Sequence, residues 1–106
     1  MTIKKIESIE KKIKNTSDID TKIKEDLLDL MRSLKTELKD VKGTHPEKAH
    51  NIADKTQIST EKTLDTKADI ADLDGLQKAV GEFEVSHPKL VQLVNRLCIM
   101  LSDIGI

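Results

Sequence analysis

Apolar side chains at Ile19, Ile23, Leu27, Leu30, Leu34, Leu38 and Val41 recur at intervals of 4, 4, 3, 4, 4 and 3 residues. Only an α-helix gathers that spacing into one stripe, so this segment commits the chain to a helical fold. Leu28 and Met31 widen the stripe. Ser17 or Asp18 is placed to cap the first turn, and Asp20 sets negative charge at the positive end of the helix dipole. Gly43, after Lys39 and Lys42, reads as a left-handed stop. The spacing therefore predicts a helix near 17–42.

A second pattern lies downstream. Positions 73, 76, 80, 83, 87, 90, 94, 97, 101 and 104 read Leu, Leu, Val, Phe, His, Leu, Val, Leu, Leu, Ile, the three-four alternation of a coiled coil. Pro88 cannot lie inside a straight helix, because the residue before a proline avoids the α region. Two helices follow, near 69–85 and 87–104, joined by a bend that either folds them together or leaves a kinked rod.

Upstream, Ile3, Ile6, Ile9 and Ile13 form one stripe of a helix near 2–14, with Thr2 as its cap. Between the two strong patterns lies a weaker one. Thr44-His45-Pro46-Glu47 marks a helix start with proline in the first turn, and Ser86-His87-Pro88-Lys89 repeats the device 42 residues later. The helix that Pro46 opens, near 46–65, begins its stripe with Ala49, Ile52 and Ala53 but continues it as Thr56, Ser59, Thr63 and Thr66. β-Branched threonines lose rotamer freedom in a helix. The segment is either a helix with a thin interface or one that frays around Leu64–Lys67.

The expected architecture is all-α: a single domain over 1–106, built as an antiparallel bundle of four to five helices and completed by dimerisation. Dimerisation is expected because residues 53 to 69 give the long stripes few large apolar partners. The predicted association face comprises Ile19, Ile23, Leu27, Leu30, Leu34 and Leu38 with Leu90, Val94, Leu97, Leu101 and Ile104. His45, Pro46, His87 and Pro88 are assigned only as helix-start residues.

Composition narrows the function. With 18 Lys and Arg against 19 Asp and Glu the net charge is -1, and Phe83 is the only aromatic residue, so no nucleic-acid partner is expected. No stretch approaches the ~20 apolar residues of a membrane span, and the N-terminus lacks the apolar run of a secretory signal. Cys98 stands alone, so no intrachain disulfide is available and a soluble cytoplasmic location is expected. The first helix is locally +3, with five lysines against Glu7 and Glu10, which gives an alternative reading as a membrane-surface binder. Residues 65 to 84 are locally -4, so a pairing between these two regions is plausible within one chain or between two.

Candidate chemistry is sparse. His45 and His50 are five residues apart, which puts them on different sides of a helix, unlike the i, i+4 pair of a zinc-binding helix. His87 lies on the apolar stripe, and Cys98 sits in the run Leu97-Cys98-Ile99-Met100-Leu101, far from the cationic surroundings that activate a thiolate. No phosphate loop, nucleophile elbow or Ser-His-Asp set can be assembled. The sequence therefore predicts no catalytic residue, metal ligand or cofactor. A non-enzymatic, self-associating interaction module is expected, and a metal or redox sensor using His45, His50, His87 or Cys98 is the third reading.

The blocks Phe83-Glu84-Val85-Ser86-His87-Pro88-Lys89-Leu90, Val94-Asn95-Arg96-Leu97-Cys98 and Leu101-Ser102-Asp103-Ile104-Gly105-Ile106 resemble a family of small bacterial proteins, domain-of-unknown-function family 4404. Ala49-His50-Asn51-Ile52-Ala53 and Gly75-Leu76-Gln77 are similar to it as well. The resemblance covers 73–106 closely and the first 45 residues loosely. It implies a small, mainly helical protein without assigned activity, carries over no catalytic residue, and gives the Gly105-Ile106 tail a packing or docking role.

Overall fold

The computed structural model describes residues 2–17, 19–66 and 73–105, and these form five helices. They are α1 (Thr2–Asn15), α2 (Thr21–Thr44), α3 (Pro46–Thr66), α4 (Leu73–Gly81) and α5 (Pro88–Gly105). The fold is the expected all-α bundle. Helices α1, α2 and α3 follow one another up and down, and the α4–α5 hairpin packs on the far side of α2 and α3. α1 touches α2 and α3 but neither α4 nor α5.

Each stripe buries as its spacing demands. Ile6, Ile9 and Ile13 of α1 are fully buried, as are Leu27, Met31, Leu34, Leu38 and Val41 of α2. Partly buried ion pairs tie the helices at their edges. Lys35 Nζ lies 2.9 Å from Glu10 and 3.9 Å from Glu7, while Lys5 Nζ lies 3.1 Å from Asp54. These contacts set the register of α1 against α2 and α3.

The threonine-rich helix turns out to be central. α3 is the only described helix that touches all four others. Ala49, Ala53, Thr56, Ser59, Thr60 and Thr63 are buried along it, and such small side chains leave room for neighbours on several sides. Two of the buried hydroxyls are satisfied along the helix itself: Thr56 donates to the Ile52 carbonyl at 2.8 Å and Thr63 to the Ser59 carbonyl at 2.9 Å. The helix runs through Leu64 to Thr66, so of the two alternatives the continuous helix is found; Lys67 lies outside the described residues.

Three boundary expectations are corrected. α2 begins at Thr21, with Asp20 in the cap position making no side-chain bond there; the alternative cap Asp18 lies outside the described residues. Gly43 is not the stop, because α2 continues through it to Thr44. The chain leaves the helix at His45, with φ -138° and ψ 70°, because Pro46 follows. α4 ends at Gly81 rather than near 85, where tight turns take over: Phe83 N–H donates to the Val80 carbonyl at 2.9 Å and Glu84 N–H to Gly81 at 3.2 Å. The chain then folds back at Pro88, so the three-four alternation over 73–104 belongs to two packed helices and not to one rod. Residues 69–72 of the expected fourth helix lie outside the described residues.

Candidate functional site

The two His-Pro helix starts, 42 residues apart in sequence, meet in space. Pro46 opens α3 and Pro88 opens α5, and the turns before them lie side by side at one end of the bundle. Phe83, the single aromatic residue, is buried between them. Its ring meets the His45 imidazole edge-on at 5.6 Å between centroids and that of His87 at 5.8 Å. His45 Nδ1 lies 2.9 Å from Thr44 Oγ1, and His87 Nδ1 lies 3.5 Å from the Asp40 carboxylate. Lys48 Nζ at 2.6 Å from Glu82 bridges α3 to the turn after α4. The recurrence of the motif was visible in the sequence; its convergence on Phe83 depends on the α4–α5 hairpin folding back.

Most of the residues predicted to form an association face lie inside the bundle. Leu27, Leu30, Leu34, Leu38, Leu90, Val94, Leu97 and Leu101 are all buried within one chain, where α5 lies against α2. Ile19 and Ile104 are partly buried against the same core, and Ile23 sits at the surface, 36% exposed. The premise for dimerisation, that one chain leaves these stripes bare, is therefore incorrect. Small residues on α3 let the leucine stripes close on one another. The same holds for the basic helix: the isoleucine face that a membrane-surface helix would insert is packed inside.

Among the described residues no three His, Cys, Asp or Glu side chains converge to hold a metal ion. His50 is exposed on α3. Cys98 is buried, its thiol 3.9 Å from the Leu73 carbonyl, and burial pushes the thiol pKa up, so it is protonated at neutral pH. A cleft of about 570 Å³ opens where α1 meets the second half of α3, lined by Lys11, Lys12, Asn15, Thr16, Ser17 and Glu61 among others. It is an open surface hollow with charged and hydroxyl-bearing walls. No described helix is long and apolar enough to cross a membrane.

One surface feature had no signal in the core-oriented reading of the sequence. Ile99 points outward from α5, 63% exposed, between Arg96 and Asp103. Within a run of five apolar letters it passes for core, and only the phase of the helix separates it from Leu97 and Leu101.

These features define a small bundle of five helices in which His45, Phe83 and His87 meet at one end. Residues 55–106 match the model of a family described as a domain of unknown function (DUF4404), which places this segment in that family. No curated protein and no solved structure is matched by the chain. The matched segment starts inside α3, so it includes α4 and α5 but neither α1 nor α2.

Proposed function

We propose that this chain is a non-enzymatic protein-interaction module that associates with a second copy of itself. The carrying observation is how its reactive residue types are used. His45 and His87 clamp Phe83, and Cys98 is a protonated thiol under α4. A side chain committed to packing is poorly placed to bind substrate or a metal ion. What stays free is surface: three of its large apolar side chains, Ile58, Val85 and Ile99, stand 47%, 95% and 63% exposed. A cytoplasmic location suits a chain with one cysteine and no intrachain disulfide to maintain.

The test is co-expression of two full-length copies carrying different N-terminal tags. After cross-linking in the cell, which traps a weak complex, capture of one tag retrieves the other if the reading is right. Failure to retrieve the second copy overturns self-association.

A further inference from the structure

We propose that the outer face of α5 is the self-association surface, docking antiparallel on the same face of a second copy with the two-fold axis at Ile99. The inference rests on the self-association reading above and assigns it a face.

Gln92, Arg96, Ile99 and Asp103 follow one another at steps of four, three and four, so they form a single stripe on α5. All four are exposed, opposite the stripe of Leu90, Val94, Leu97 and Leu101 that packs inward. Leu93 and Met100, partly buried, widen the apolar part of the stripe on one flank. Asn95, on the other flank, is held by Gln77 of α4 at 3.4 Å.

Charge selects this face and its occupant. Arg96 and Asp103 have no ion-pair partner among the described residues, although Asp26 and Asp29 line the groove that Arg96 rims. Asp29 pairs with Arg32 instead, at 2.7 Å. Arg96 lies one turn before Ile99 and Asp103 one turn after it. An antiparallel copy centred on Ile99 therefore sets each guanidinium against the carboxylate of the other copy, twice, around an Ile99–Ile99 contact. The charges beside the competing apolar positions are already engaged within the chain: Asp54, one turn before Ile58, pairs with Lys5 at 3.1 Å, and Glu82, before Val85, pairs with Lys48 at 2.6 Å. One helix against another buries less than the ~1,200 Å² of a standard interface, so the dimer is weak and salt-sensitive.

The decisive measurement is the weight-average mass of the full chain by light scattering with refractive-index detection, since the protein has no Trp or Tyr. Concentrations from about 10 μM to about 1 mM bracket an interface of this size. The expected result is a rise from 11.9 kDa towards twice that mass. Arg96→Asp and Asp103→Arg each weaken dimerisation roughly tenfold or more, and the double reversal restores it. Both side chains are solvent-exposed, so circular dichroism of the variants matches that of the parent. A dimer indifferent to the single reversals, or one not recovered by the double, overturns the α5 face and leaves self-association standing. A mass that stays at one chain throughout overturns both.

Discussion

His45 stands edge-on to Phe83 with 5.6 Å between ring centroids, which fastens the α2–α3 turn to the α4–α5 turn. His87 meets the same phenyl ring from α5 at 5.8 Å. Phe83→Leu keeps most of the apolar volume but loses both edge-to-face contacts. It should cost about 1–2 kcal/mol in urea unfolding followed by circular dichroism, whereas Phe83→Ala, which also leaves a cavity, costs about 3–5 kcal/mol. A Phe83→Leu variant as stable as the parent would show that the imidazoles contribute nothing to the junction.

Gly43 separates the two accounts of how α2 ends. Inside the helix, with nothing within 4 Å of the position a Cβ would take, Gly43→Ala stabilises by about 0.5–1 kcal/mol through the unfolded chain's lost freedom. At a left-handed stop the same change destabilises by at least as much. A shift of the melting temperature upward supports the continuous helix, and a downward shift supports the glycine stop.

Thr60 is buried in α3, and its hydroxyl has no hydrogen-bond partner among the described residues, in contrast to Thr56 and Thr63 on either side. Leaving a hydroxyl unsatisfied in the interior costs about 1–3 kcal/mol. Thr60→Val keeps the branched shape and removes the group, so it raises stability by about 1 kcal/mol. Thr56→Val stays near neutral, because its hydroxyl bond is already made at little net gain. Destabilisation by Thr60→Val would mean that the hydroxyl has a partner after all.

Helix identity was readable wherever large apolar residues carried the period, as in Ile6, Ile9 and Ile13 or Leu27 through Val41. The role of α3 was not, because hydrophobicity measures burial by size. Thr56, Thr60 and Thr63 are buried through being small enough to let four neighbouring helices approach. A thin α3 would leave Leu34 and Leu97 uncovered, which is what makes the sequence point to a dimer face; in the fold α2 and α5 cover each other. The His45–Phe83–His87 cluster was half legible, since a repeated motif can be seen in a sequence while the fold-back that joins its copies cannot. Ile99 was hidden by its neighbours, and only the helical phase of α5 distinguishes it.

The family match over 55–106 and the folded unit do not coincide. α5 buries Leu90, Val94, Leu97 and Leu101 against α2, which lies wholly outside the match, and the matched half of α3 is also overlain by α1. Fully burying each such side chain contributes roughly 1.5–3 kcal/mol, comparable in sum with the whole stability of a domain this small. A fragment of residues 55–106 therefore leaves that stripe bare, and its circular dichroism should show weak helicity and no cooperative melt. Adding residues 16–54 restores α2 and the first half of α3, and with them a cooperative transition, though a lower one than in the full chain because Ile6, Ile9 and Ile13 are still missing. Cooperative melting of 55–106 alone, at a midpoint near that of the full chain, would show that α4 and α5 with half of α3 close a core of their own.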